Sequence, residues 1–335
     1  MRRIRTTVVG MAVVLAAVLA LGACGGGAAG RGGVSGGVSG AASPGGPEKT
    51  ELLIGVLPVA SSAPLFIADK RGFFKEEGLT VKTEIIQAPQ AVMPKIVNGS
   101  MDAFLTSYVS LMTINDTGAA KLKLFQHSMG GAPGFCAVVV TKDSPIRTVA
   151  DLRGKTIAVN VLKALGHTVV SAHLQQAGLR LEDAKFVAVP FADQLGALSS
   201  GKVDAAWLAE PFLSAAEQDG ARQIVDTIGG PTAGVPIDGW GVTEQWLARY
   251  PKTAAALHRA LAKAQRIAGA DRQAIDEVVP TYTQIPADVA ARMNVGEFAM
   301  EADRAGVQKL ADLMHGFGFL KKKVDVNQIF APVGG

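Results

Sequence analysis

Apolar and polar positions follow two rhythms along this chain. Short apolar-rich runs read as strands: LLIGVL (52–57), LTVKTEII (79–86), MDAFLT (101–106) and KLKLFQHS (121–128). Between them lie stretches with helical spacing: APLFIADKRG (63–72), QAVMPKIVNG (90–99), with Pro94 inside its pattern, and SYVSLMTIND (107–116). The theme then repeats. KTIAVN (155–160), KFVAVPF (185–191), VDAAWL (203–208) and RQIVDT (222–227) are predicted strands. GHTVVSAHLQQAG (166–178), closed by Gly178, ADQLGALSSG (192–201) and EPFLSAAEQDG (210–220) are predicted helices. Such alternation predicts an α/β architecture with mainly parallel sheets. The last third is predicted to be mostly helical. In PKTAAALHRALAKAQRIAGA (251–270), Leu257, Leu261, Ala264 and Ala268 share one face.

An internal correspondence divides the pattern in two. NGSMDAFLTSYVSLMT (98–113) and SGKVDAAWLAEPFLSA (200–215) each carry Gly-x-x-Asp-Ala, at Gly99, Asp102 and Ala103 and at Gly201, Asp204 and Ala205. Each follows a short helix, runs through an apolar strand and opens a new helix, which predicts two equivalent Rossmann-like lobes. Ligands of open parallel sheets sit beyond the carboxyl ends of the strands, where helix N-termini offer unpaired N–H groups. If the lobes face each other, Ser61, Ser62, Thr106 and Ser107 come from one side of a cleft. Asn160, Lys163, His167 and Glu210 come from the other, and Trp207, Trp240 and Tyr108 are candidate walls. Each has a plainer reading. Ser62 and Ser107 suit helix caps, Trp207 suits a core, and His167 suits an ordinary helix surface. Glu210-Pro211 suits a helix opening. Asp102 and Asp204 fall at strand starts, away from the cleft, and read as structural.

The N-terminus changes the picture. Arg2, Arg3 and Arg5 precede an apolar run, Val8 to Leu21, of signal-peptide rather than membrane-span length. Leu21-Gly22-Ala23-Cys24 follows and resembles the lipobox of bacterial lipoproteins. Residues 1–23 are therefore expected to be a signal peptide, with lipid on Cys24 holding the mature chain at the extracytoplasmic face of the cell membrane. The paired arginines faintly match a twin-arginine export signal. Residues 24–50 are rich in Gly, Ser and Ala and are expected to be a tether. The formal net charge is +4, but the three leader arginines have no acid beside them, so the chain beyond residue 23 carries a single net positive charge. That gives no footprint for nucleic acid. Cys136 is the one cysteine besides Cys24, which excludes an intramolecular disulfide once Cys24 is lipidated; its apolar run predicts simple packing. The five histidines (127, 167, 173, 258 and 315) lack metal-ligand spacing, and no HExxH or GxSxG motif occurs. No cofactor, metal or catalytic residue is expected.

The segment GVLPVASSAPLFIADKRGFFKEEGL (55–79) resembles the first strand and helix of ABC-transporter substrate-binding proteins of the nitrate/sulfonate/taurine type. VNGSMDAFLTS, TVADLRGKTIAVN, GKVDAAWLAEPF and DGWGVTEQWLARYP resemble the family's later blocks, in its order. The resemblance implies a type II periplasmic-binding fold, with lobe 1 from 51–143 and 238–335 and lobe 2 from 144–237. The crossings would lie near Ala132–Asp143 and Gly234–Val242. It implies a monomeric, non-catalytic receptor that passes a small solute to a permease and its ATPase. Ligand contacts would come from Ser61–Ser62, Thr106–Ser107, the turn after Asn160, Glu210 and the surroundings of Trp240. That turn reads NVLKALGHT, where relatives often carry a Gly/Ser-rich anion cradle. Nitrate is thereby disfavoured, and an alkanesulfonate or taurine-like acid ranks first. A neutral heteroaromatic such as a thiamine-pyrimidine precursor ranks second, and an enzyme on the same fold is the rival from another class. The pocket itself discriminates. Lys163 turned inward among N–H donors favours an anion, and facing aromatic rings favour a flat heterocycle.

Overall fold

The computed structural model of the protein describes residues 45–331; the leader, Cys24 and most of the Gly-rich segment lie outside the described residues. Among the described residues, ten strands form two five-stranded sheets. The first contains β1 (Glu51–Val56), β2 (Thr80–Ile85), β3 (Ala103–Ser107), β4 (Leu122–Gly130) and β10 (Pro236–Thr243), in the order β2-β1-β3-β10-β4. The second contains β5 (Cys136–Val140), β6 (Thr156–Val159), β7 (Lys185–Ala188), β8 (Ala205–Ala209) and β9 (Arg222–Asp226), in the order β7-β6-β8-β5-β9. The orders match position for position, as the repeated motif predicts. β3, β5 and β8 are buried at every residue, which explains why AFLTS, CAVVV and AAWLA read as continuous apolar runs rather than alternating ones. Cys136 is one of these buried positions.

Each sheet is parallel except for one strand. β10 pairs antiparallel with both β3 and β4, and β5 pairs antiparallel with both β8 and β9. These two strands are the ones that arrive from the other sheet. The chain leaves the first sheet after Gly130 and joins the second at Cys136; it leaves the second after Asp226 and returns at Pro236. At the level of strand pairing, the boundary expected at 143 therefore lies before β5, and the return lies before Pro236. The physical reason is that a crossing strand completes the sheet it enters, which apolar periodicity cannot show.

The Gly-x-x-Asp-Ala motif does the same work twice. Gly99 and Gly201 both adopt left-handed φ, at 76° and 70°, to turn from helix to strand. Asp102 then accepts from the backbone N–H of Leu53 (3.0 Å) and Asp204 from that of Thr156 (2.8 Å), each locking a strand start onto its neighbour. The environments differ. Asp102 is buried and also receives Lys49 Nζ (2.6 Å) and Trp246 Nε1 (2.9 Å), whereas the side chain of Asp204 is 43% exposed. Asp102→Ala strands the buried Trp246 N–H and the half-buried Leu53 N–H and is expected to cost about 3 kcal/mol. Asp204→Ala should cost about 1 kcal/mol or less. Thermal melts of the two variants check this, and equal melting temperatures would refute it.

Two helical readings shift. Pro94 does not interrupt a helix. It sits in the first turn of Met93–Val97, after a 3-10 turn at Pro89–Val92, where a missing N–H costs nothing. The stretch 210–220 is helical only over Phe212–Gln218. In Pro251–Ala270, Leu257, Leu261, Ala264 and Ala268 are all buried, and this helix packs on Ala63–Lys70 and on β4. Among the described residues, no helix is long and apolar enough to cross a membrane.

Candidate functional site

The carboxyl ends of the parallel strands from both sheets converge on one narrow, partly open cavity. Leu57 and Val59 follow β1, and Ser107 and Ser110 open the helix Tyr108–Thr117 after β3. From the second sheet come Asn160 after β6, Ala164 and Leu165 at the start of the helix Leu165–Gln176, Phe191 after β7, and Trp207 and Ala209 of β8. Pro89, Phe135 of the first crossing, and Ile237 and Asp238 of β10 complete the lining. The cavity has room for about two waters. Two hydrogen bonds bridge the gap beside it: Ala60 N–H to the Glu210 carbonyl (3.1 Å) and Thr113 Oγ1 to the Lys163 carbonyl (3.0 Å).

The walls are mostly apolar. Phe191 stacks on Phe212, with centroids 5.6 Å apart and planes 14° apart, and leans on Trp207 at 5.7 Å. Trp207 is fixed by its Nε1–H to Thr227 Oγ1 (2.9 Å). Its indole lies against Gly166, where an added Cβ would meet Cε3 at 2.2 Å. A glycine in the first turn of Leu165–Gln176 is therefore what lets the ring lie flat against that helix.

The charged group of this cavity is Asp238. No lysine, arginine or histidine is among its lining residues. Asp238 Oδ2 accepts from Ser61 Oγ at 2.6 Å, and among the described residues no hydrogen bond reaches Oδ1. Burial without a cationic partner pushes its pKa up to about 6 from the ordinary 3.8, and the Ser61 bond offsets only part of that.

The expected site residues divide into three sets. Ser107 and Asn160 line the cavity; Ser107 also caps its helix, accepting from Ser110 N–H at 3.1 Å. Ser61 stands one bond behind the cavity, through Asp238. Ser62 donates to the Leu57 carbonyl (2.6 Å), and Thr106 to the Ser107 carbonyl (3.3 Å), both buried in the framework. Lys163, His167, Glu210 and Trp240 do not line the cavity.

Each of these four has a structural place. Lys163 takes a left-handed φ of 57°, its side chain is exposed, and its N–H donates to His167 Nδ1 (3.0 Å). His167 packs between Phe186 (4.0 Å) and Phe319 (4.6 Å), and burial lowers its pKa to about 4. Trp240 is fully buried in the first sheet. The two tryptophans thus exchange their expected places, with Trp207 at the cavity and Trp240 in the core. Tyr108 is also core, its hydroxyl 2.8 Å from His127 Nδ1.

Glu210 is a buried joint. Oε1 accepts from Asn294 N–H (3.0 Å) and Ser214 Oγ (2.8 Å), and Oε2 accepts from Ser214 N–H (3.0 Å). Burial raises its pKa. Asn294 belongs to the segment whose Glu297 bridges Gly130 of β4, so this carboxylate ties the second sheet to a segment held by the first. Glu210→Ala leaves buried donors unpaired and is expected to cost about 2 kcal/mol. Amide exchange should quicken at Asn294 and Ser214; unchanged protection there would refute the joint.

Residues 45–282 match the NMT1-like family. Over 236 residues the chain is 25% identical to the nitrate import ATP-binding protein NrtC of Synechocystis sp., covering 65% of this chain and 35% of that protein. The chain spans about a third of the length of such curated relatives. The fold aligns with the alkanesulfonate-binding protein SsuA from Xanthomonas axonopodis pv. citri, bound to MOPS. The TM-score is 0.73 at 20% identity, over 85% of this chain and 99% of that one. It also aligns with the desulfurization enzyme DSZB, at a TM-score of 0.63 and 17% identity over 85% of this chain and 97% of that one. The structural likeness establishes the shared two-sheet, periplasmic-binding-protein fold. With the family match running from the first described strand through most of the C-terminal helices, the chain belongs to the NMT1-like family.

Proposed function

We propose that this protein is a solute receptor of an ABC importer. It captures a small molecule between two lobes, 45–130 with 236–331 and 136–226, and passes it to a permease driven by an ATPase. One observation carries the reading: strand ends of both sheets wall a single cleft, and among the described residues two crossings join the sheets. Separating the sheets opens such a cavity, and closing them buries whatever it holds. Similarity to nitrate-import and alkanesulfonate-binding proteins supports the same role. Native mass spectrometry of protein purified from its own host is expected to show one bound small molecule, released on unfolding. A bare protein that also gives no saturable thermal shift across a solute library sinks the proposal.

The anchor belongs to this proposal. Lipid on Cys24 would keep a monomeric receptor at the extracytoplasmic face of the membrane. Cys24→Ser is expected to move the protein into the soluble fraction with solute binding intact, and loss of binding would contradict the separation of anchor from receptor. Catalysis is the second reading, favoured by the fold shared with DSZB. Against it, no cysteine or histidine lines the cavity. Recovering the bound solute chemically unchanged after long incubation with the protein supports the receptor; a changed mass supports the enzyme.

A further inference from the structure

From the cavity's chemistry we infer that the solute is a small organic cation, an ammonium or amidinium on an apolar body, whose N–H donates to Asp238 Oδ1. This rests on the receptor reading above and names the class of solute. The first observation is the unpaired acid. Asp238 is buried, lines the cavity, and has one oxygen bonded to Ser61 and the other without a partner among the described residues. A buried carboxylate without a counter-charge is costly, and stability recovers when a cation with good geometry pairs with it. No basic side chain lines the cavity to supply that charge, so the ligand is left to bring it.

The second observation is the set of walls. Phe135, Phe191 and Trp207 surround the acid with ring surface, which accepts an apolar body and attracts a cation held against it. The third is Lys163. It is the nearest cation in sequence to the site and the natural counter-ion for a sulfonate, yet its side chain is exposed and outside the lining. An oxyanion closed into this space would meet Asp238 rather than Lys163. Like charges in a buried site repel, and what the site offers an anion in return is the N-terminal ends of the helices that begin beside Ser107, Leu165 and Phe191, with no side-chain cation in the lining.

The test is calorimetric titration of the full mature chain, stripped by unfolding and refolding, at pH 8. Ethylamine and benzylamine are the cationic probes, ethanesulfonate and nitrate the anionic ones, and 4-aminopyrimidine the neutral one. At least one amine is expected to bind saturably, and Asp238→Asn should weaken it by about tenfold or more, the measure of a lost charge-assisted hydrogen bond. Asp238→Glu is expected to keep more affinity than Asp238→Asn, which separates loss of charge from disturbed packing. Saturable binding of ethanesulfonate or nitrate, unweakened in Asp238→Asn, overturns the assignment and leaves the receptor standing. Binding of 4-aminopyrimidine but neither amine does the same. If no probe binds and the host-purified protein carries no small molecule, the receptor reading fails, and this inference fails with it.

Discussion

Asp238→Asn is expected to make the unliganded protein more stable at pH 8 and no more stable at pH 4. In the folded chain Asp238 titrates at about 6, against 3.8 for the ordinary acid. Its contribution to stability is therefore fully present below about pH 4 and is lost as pH rises through about 6. A shift of about two units corresponds to about 3 kcal/mol at neutral pH and above. Asparagine carries no charge to bury and keeps an oxygen for the Ser61 hydroxyl. Its NH2 lacks a partner, which takes back about 1–2 kcal/mol. The net gain at pH 8 is about 1–2 kcal/mol, or a few degrees in melting temperature. The histidines whose pKa values burial lowers to about 4, His127 and His167, are present in both proteins and cancel in the difference. Melting curves of both proteins between pH 4 and pH 8 settle the matter. A gap that does not grow with pH would show that Asp238 is not ionised against a penalty. Together with the weakened amine binding, the result would mark Asp238 as a residue kept for its ligand and against stability.

Gly166→Ala is the second large effect. The new methyl would stand 2.2 Å from Trp207 Cε3 and 2.5 Å from Cδ2, contacts that neither ring nor helix can absorb in place. If the indole tilts, it leaves Thr227 Oγ1 and moves into a cavity with almost no spare room. If the helix Leu165–Gln176 moves, it takes Ala164, Leu165 and the Asn160 turn with it. Overpacking of this kind costs about 3 kcal/mol, and either movement deforms the site. The expected result is a melting temperature lower by roughly 6–12 °C and loss of measurable solute binding. Full affinity in Gly166→Ala would mean that the Trp207 wall is not part of the binding surface.

The two-lobe plan was legible because it rests on local signals that recur. Gly99 and Gly201 turn the chain at the same place, and Asp102 and Asp204 hold equivalent strands. The side-chain inventory of the cavity was not legible, for a reason visible in β10. Its pairing with β4 shifts register on both sides of Asp238 and again after Trp240, so alternation along DGWG does not report which side chain meets which space. The pattern points to Trp240, yet Asp238, two residues before it, is the side chain that lines the cavity. Trp207 and Trp240 both sit in apolar strands, and only the position of each strand separates a wall from a core. A lobe boundary at 143 leaves β5 on the first lobe's side of the crossing, whereas it pairs in the second sheet, because CAVVV has no feature that names its neighbours. Ser107 and Asn160 do line the cavity, because strand ends are predictable even where side-chain directions are not.

The first described residues have a mechanical consequence. Glu48 accepts from the N–H groups of Lys252 (3.0 Å) and Thr253 (2.9 Å), and Lys49 donates to Thr253 Oγ1 (2.9 Å) and to Asp102 (2.6 Å). These clasps lie at the amino end of β1, whereas Leu57 and Val59 reach the cavity from its carboxyl end. A pull applied at Glu48 and Lys49 would thus be taken up by the back of the first sheet and the start of a 20-residue helix. Such a load would end there, a strand's length from the cavity, so a pull on the amino end of the described chain would turn the first sheet without parting the cavity walls.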